Sequence, residues 1–220
     1  MHALIIETST ERGLVAYVSG TQVLWSKELP FGYGQSKSLM PELSIWLQAA
    51  NLPPFDCIGV GIGPGSYTGI RIGVAAAKAL AYAWKIPLIG ICTLKAFIPQ
   101  ADHTAFAALI DAKIGGVYIL KGHIEQGRVS YSSEPAVCSL EDVGVLIKDI
   151  PLLVTPYQSF LKAKMDQICP NAQWQEVSPS ASNLSYAVQA AYTQQAWSLN
   201  GQLELLYLRK TQAELEKKAS

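Results

Sequence analysis

Two carboxylates stand where an apolar run gives way to turn chemistry. Glu7 follows Ala3-Leu4-Ile5-Ile6 and precedes Thr8-Ser9-Thr10, while Asp111 follows Phe106–Ile110 and precedes Gly115-Gly116. A carboxylate beside hydroxyls and a tight turn suits Mg²⁺ and phosphate, so these residues could serve a small-molecule kinase using Mg-ATP. A plainer reading has Thr8–Thr10 capping a turn and Asp111 bonding nearby backbone. The second half offers no adenosine-binding glycine loop beyond Gly115-Gly116.

A third candidate is GIGPGSYTGIRIGVAAAKALA, Gly61–Ala81. A Walker loop needs GxxxxGK, but here Gly65 is followed by Ser66-Tyr67 and no lysine arrives before Lys78. A dinucleotide fingerprint needs GxGxxG, and its third glycine is misplaced. What is left is a loop opening a helix, where Gly63, Gly65 and Ser66 could offer free N–H groups to an anion. The alternative is a tight strand-to-helix turn capped by Ser66 or Thr68.

Other chemistries lack their residues. His2, His103 and His123 show neither HxxxH nor HExxH spacing, which leaves no helical metal site and no ligand set for a metalloprotease. His103 and His123 read as surface or turn residues. Ser66 stands in GPGSYTG, not in a GxSxG elbow. Cys57, Cys92, Cys138 and Cys169 form no CxxC and are expected to be reduced core thiols of a cytoplasmic protein. The opening MHALIIETST is not expected to be a signal peptide, and no apolar run reaches the roughly 18 residues of a membrane span.

The elements that must position these groups come in two similar sets. Around Glu7, the Ala3–Ile6 run is followed by short strands at Leu14–Val18 and Val23–Ser26, turned at Gly20. Around Asp111, Phe106–Ile110 is followed by Val117–Leu120 and Val129–Ser132. Such a repeat, about a hundred residues apart, predicts duplicated α/β domains and not a solenoid. Apolar residues at helical spacing predict a helix over Ser38–Ala50, stopped by Asn51 and Pro53-Pro54. Strands are expected at Cys57–Ile62, Pro87–Ile91 and Pro151–Thr155, and helices at Thr68–Trp84, Leu140–Lys148, Ser159–Ile168 and Leu184–Leu199. Leu203–Leu208 reads as strand-like. The predicted organisation is a first domain over 1–98, a smaller second over 99–209, and a charged tail over 210–220.

The chain has 220 residues, half of them hydrophobic and 15% charged, enough for a substantial core. Lys plus Arg equal Asp plus Glu at 17 each, so the net charge gives no footprint for strong, unaided nucleic-acid binding. Within the glycine-rich helix, Gly69 and Gly73 each cost about 1 kcal/mol relative to alanine. Together with Ala76, Ala77 and Ala81 they form a small-residue face beside Ile70, Val74 and Trp84. Such a face lets another backbone approach, from the same lobe or from another chain. Tyr67 and Arg71 could reach toward such a partner, and Arg71 could equally make a surface ion pair.

GPGSYTGIRIG resembles the GPGSFTGLRIG-type signature of the TsaB (YeaZ) family. ALIIETST is similar to that family's ILAIDTS-type opening, Ala108–Tyr118 to its IDAR-x-x-EVY stretch, and Tyr207-Leu208-Arg209 to its YLR. The resemblance spans most of the chain. It implies a tandem actin-like (ASKHA, RNase H-like) α/β fold with mixed sheets flanked by helices. It also implies a subunit, non-catalytic alone, of the machinery that makes threonylcarbamoyladenosine beside the tRNA anticodon. Its partners would be a TsaD-like catalytic subunit, which is metal-dependent, and a TsaE-like ATPase; alone it would form a homodimer. It would hold no cofactor of its own, with ATP and Mg²⁺ acting through the complex. The resemblance places the partner-binding surface on the two helices of the first domain. The residues expected to carry it are Leu39, Leu43, Trp46, Gly69, Ile70, Gly73, Val74, Ala77 and Ala81.

The chain departs from the family pattern in four places. Glu7 replaces the usual Asp, and Gln35-Ser36 replaces a His-Ser pair. Gly116 stands where an acidic residue often precedes Val-Tyr, and Leu206 replaces a proline. Glu7 and Gln35 weaken a case for independent catalysis.

Overall fold

The structure, a computed structural model, describes residues 1–32, 34–49, 54–113, 116–199 and 201–208. The expected helix stop at Asn51 and Pro53, together with Gly115, Arg209 and the tail, lies outside the described residues. In the first lobe β1 (His2–Glu7), β2 (Leu14–Ser19) and β3 (Gln22–Glu28) form an antiparallel meander. Helix α1 (Gln35–Ala49) leads to β4 (Cys57–Gly61), and α2 (Tyr67–Trp84) to β5 (Leu88–Ile91). Both later strands run parallel to β1, giving the order β3-β2-β1-β4-β5.

A 3-10 turn at Thr93–Ala96 leads into the repeat. Strands β6 (Thr104–Asp111), β7 (Gly116–Glu125) and β8 (Arg128–Tyr131) form a second meander, and β9 (Ala136–Ser139) pairs with the start of β7. Helix α3 (Leu140–Leu146) precedes β10 (Leu152–Thr155), and α4 (Gln158–Met165) precedes β11 (Gln173–Glu176). Read from its other edge, this sheet runs β8-β7-β6-β10-β11, the first order with each strand replaced by its counterpart. The fold is therefore the tandem actin-like α/β architecture with mixed sheets flanked by helices.

Alternation along β1 shows how the layers arise. Ala3 and Ile5 face a core shared with the second lobe, while Leu4 and Ile6 face α1 and α2. Each large side chain buried in this way contributes about 1.5–3 kcal/mol. From one face to the other the layers run α1 with α2, the first sheet, a middle layer, the second sheet, then α3 with α4. The middle layer holds the Thr93–Ala96 turn and α5 (Ala181–Thr193), the last helix among the described residues. Helix α5 falls within the segment 99–209 by position, yet it packs against β1, β2, β3 and β5 of the first lobe.

Several boundaries differ from expectation for local reasons. Helix α5 ends at Thr193 and not at Leu199, because Gln195 adopts the left-handed conformation that closes a helix. Leu203–Leu208 forms no strand, although the Leu206 N–H donates to the Ile62 carbonyl oxygen at 2.9 Å. Just before it, Ser198 and Leu88 exchange backbone hydrogen bonds of 2.9 and 3.0 Å, so the chain ends its described course along the β5 edge.

Candidate functional site

The turn after β1 is built around one carboxylate. Glu7 is fully buried. Its Oε1 accepts from the Ser9 N–H at 2.7 Å, and its Oε2 accepts from the Thr93 hydroxyl at 3.0 Å. Burial pushes the Glu7 carboxyl above its ordinary value, and the bonds from Ser9 and Thr93 only partly oppose that shift. Gly61 is glycine because this carboxylate fills the space of a side chain: a β-carbon there would lie 2.1 Å from Oε2. Thr93 Oγ1 in turn accepts from the Gly63 N–H at 3.2 Å, which ties the glycine loop to the same strut. Gly63 sits at φ +101°, where glycine alone is at ease, and precedes Pro64 through a cis peptide.

At the start of α2, the Ser66 and Gly69 donors are spent on the protein itself. The Ser66 N–H donates to the Ser9 carbonyl at 2.7 Å, and the Gly69 N–H to Ser66 Oγ at 3.3 Å, so of the two candidate caps Ser66, not Thr68, makes the N-cap bond. The hollow lined by Thr8, Thr10, Gln35, Ser66 and Thr68 measures about 30 Å³, room for about one water. Thr8, Ser9, Gly63, Gly65 and Ser66 are thus brought together, but around one another and not around a nucleotide-sized space.

The small-residue face of α2, expected to receive a foreign helix, is sealed within its own lobe. A β-carbon on Gly69 would lie 2.1 Å from the Thr8 carbonyl oxygen, and one on Gly73 2.4 Å from Thr8 Oγ1. The backbone that needs the close approach is therefore the Thr8–Ser9 turn, whose Thr8 hydroxyl donates to the Gly69 carbonyl at 2.8 Å. Ile70, Val74, Ala77 and Ala81 are buried against the first sheet together with Leu39 and Leu43 of α1. Trp46 stacks on Trp25 with centroids 4.5 Å apart. Open to solvent instead is the opposite stripe of both helices: Met40 and Ile45 on α1, and Arg71, Ala75, Lys78, Ala79 and Tyr82 on α2.

Asp111 lies in the second lobe as the counterpart of Glu7, and it too is engaged. Its Oδ1 accepts from Lys164 Nζ at 2.7 Å and from the Lys113 N–H at 3.0 Å. Its Oδ2 lies 3.3 Å from Lys113 Nζ, which also reaches Glu11 of the first lobe at 3.5 Å. A Mg-ATP site built on Glu7 and Asp111 does not fit this arrangement. One carboxylate is enclosed and spent on Ser9 and Thr93, and the other already faces two ammonium groups. Among the described residues, no three His, Cys, Asp or Glu side chains gather as a metal site requires. All four cysteines are free, and burial pushes the Cys57 thiol up to about 12, far from a reactive thiolate.

The crevice between the lobes is bridged by residues that no motif announced. Arg12 Nε–H donates to the Pro156 carbonyl at 2.8 Å, and its guanidinium pairs with Glu176. Ser178, also within reach of Arg12, donates to Glu28 Oε2 at 2.9 Å. Phe31 packs edge-on to Tyr157, with centroids 5.4 Å apart. The partners are more than a hundred positions apart, and the one hint in the sequence was that Arg12 follows the Glu7–Thr10 turn. No helix among the described residues is long and apolar enough to cross a membrane.

A family model described as TsaD, tRNA N6-adenosine threonylcarbamoyltransferase, matches residues 34–200. The tRNA threonylcarbamoyladenosine biosynthesis protein TsaB of Escherichia coli (strain K12) is 33% identical over 123 residues, covering 54% of this chain and 53% of that protein. The protein of the same name from Bacillus subtilis (strain 168) is 32% identical over 122 residues, with coverages of 54% and 53%. The chain thus spans about half the length of the curated relatives it matches. Among solved structures, YeaZ from Pseudomonas aeruginosa superposes with a TM-score of 0.75 at 23% identity, over 94% of this chain and 99% of that one. An uncharacterized protein with similarity to peptidase YEAZ, from the same organism, reaches 0.77 at the same identity and coverage. At that identity the likeness concerns the fold.

Proposed function

Because the chain belongs to the TsaD family of tRNA N6-adenosine threonylcarbamoyltransferases, in its TsaB (YeaZ) branch, we propose that it is a non-catalytic scaffold subunit of such a machinery. It assembles with a TsaD-like catalytic subunit and a TsaE-like ATPase in the cytoplasm, and the complex transfers threonylcarbamoyl to the tRNA adenosine beside the anticodon. ATP and Mg²⁺ act in the partners. The observation that carries this reading is that the loop groups are engaged by the chain itself. Glu7, Asp111, Ser66 and Gly69 have their bonds within the chain, so the fold is kept while its ligand loops serve structure.

The docking surface in this reading is the outer stripe of α1 and α2. Met40 is 50% exposed, Ile45 66% and Tyr82 88%, beside the small Ala75 and Ala79 that let a neighbouring helix come close. Without its partner, two copies pair through the same stripe. Reconstitution tests the reading. The catalytic subunit and ATPase, given threonine, bicarbonate, ATP and tRNA, should form the modified adenosine only when this chain is added. Equal modification in its absence would overturn the proposal.

A further inference from the structure

Where the lobes meet, three aromatic side chains stand open to solvent on one surface. Phe31 is 55% exposed, Phe160 44% and Tyr157 37%. Phe31 precedes α1, Tyr157 caps α4, and Phe160 lies in the first turn of α4. Tyr157 and Phe160 are parallel to within 8°, with centroids 6.3 Å apart, and Phe31 meets Tyr157 edge-on. Lone exposed apolar side chains are ordinary, but a cluster of three rings marks a surface that meets something.

The charges around these rings indicate what. Lys164 Nζ and Lys113 Nζ lie over the Phe160 ring, 4.7 and 5.4 Å from its centroid, and the Arg12 guanidinium lies over the Phe31 ring at 5.3 Å. The carboxylates that face the two lysines sit deeper. The Asp111 side chain is 9% exposed and that of Glu11 15%, against 55% for Lys113 and 25% for Lys164. Solvent therefore meets ammonium groups around the rings, with the carboxylates beneath them. Arg12 and Glu176 lie nearly level, at 25% and 32%. Fixed rings with cations against them suit a strand with unstacked bases, whose flat faces lie on the open ring faces while phosphates meet the lysines. A paired helix presents no base faces to such a surface, and an apolar peptide would gain nothing from the lysines.

We propose that the open faces of Phe31, Tyr157 and Phe160 stack unpaired bases of RNA, with Lys113 and Lys164 taking the adjoining phosphates. This rests on the tRNA-modification reading and adds to it a contact made by this subunit itself. The test uses the assembled complex and fluorescence anisotropy with two probes, an anticodon stem-loop and a blunt RNA duplex of equal length. Phe160→Ala and Phe31→Ala should each weaken stem-loop binding about tenfold and leave the duplex unchanged. Phe160→Trp should restore the loss. Lys113→Gln should lower the slope of log affinity against log salt by about 0.7. Wild-type affinity in both alanine variants would overturn the proposal, as would loss of the catalytic subunit from those variants, which would make the rings a protein contact. The two readings fail separately. A complex that modifies tRNA while the alanine variants bind normally removes the stacking surface alone. Ring-dependent stem-loop binding in a complex that modifies tRNA equally well without this chain removes the scaffold role alone.

Discussion

Arg12 donates to the Pro156 carbonyl oxygen across 2.8 Å, so a residue of the turn after β1 is fastened to the end of β10. A charge-assisted bond to a fixed carbonyl is worth more than an exposed ion pair, and the Glu176 contact adds little because both groups meet solvent. Arg12→Ala should therefore lower stability by about 1–2 kcal/mol in urea unfolding. It should also speed proteolytic cleavage of the connection between the lobes. Unchanged values in both measurements would show that the crevice is held by other contacts.

The glycines of α2 make a graded prediction. At Gly69 an added β-carbon meets the Thr8 backbone oxygen, while at Gly73 it meets the Thr8 side chain. Alanine gains about 1 kcal/mol of helix propensity at either position. Backbone yields less readily than a hydroxyl, so Gly69→Ala should cost about 2–3 kcal/mol net and Gly73→Ala about 1 kcal/mol or less. Denaturant midpoints check the order, and a reversal would mean that the Thr8–Ser9 turn shifts easily.

On the outer stripe the expectation is the opposite. Tyr82→Ala and Ala79→Glu change exposed residues and should alter stability by no more than about 0.5 kcal/mol. Each should nevertheless abolish co-elution with the catalytic subunit. Retained co-elution in both variants would move the docking surface elsewhere.

Glu7 gives a dependence on pH whose sign follows from its burial. Its folded carboxyl titrates above the ordinary 4.5, so as pH rises past 4.5 the unfolded chain releases a proton that the folded chain keeps. Stability from this group is then lost progressively until the folded carboxyl also ionises. Glu7→Gln removes that loss. The variant's advantage over the wild type should grow as pH rises above 4.5 and level off once the folded carboxyl ionises, in thermal or urea unfolding. A difference constant with pH would contradict the shift.

The duplication was readable because each copy repeats an apolar run, a carboxylate and a turn, and the strand orders of the two sheets bear this out. Strand β11 was not, since Gln173–Glu176 reads QWQE and owes its place to the neighbouring β10 backbone. The small-residue face was visible at Gly69 and Gly73, but its occupant was not. A bare face fits any close backbone, and Thr8 lies 61 positions from Gly69. The Arg12–Pro156 contact spans 144 positions and uses a main-chain acceptor, which leaves no mark on residue identity.

The return of α5 to the first lobe carries a consequence for synthesis. Leu184 and Val188 complete the core that Ala3, Ile5, Ala16 and Val18 begin. Those strands leave the ribosome well over a hundred residues earlier and must wait with one oily side uncovered. A ribosome stalled before Ala181 should thus carry a nascent lobe that holdase chaperones bind, and release of the full chain should end that binding.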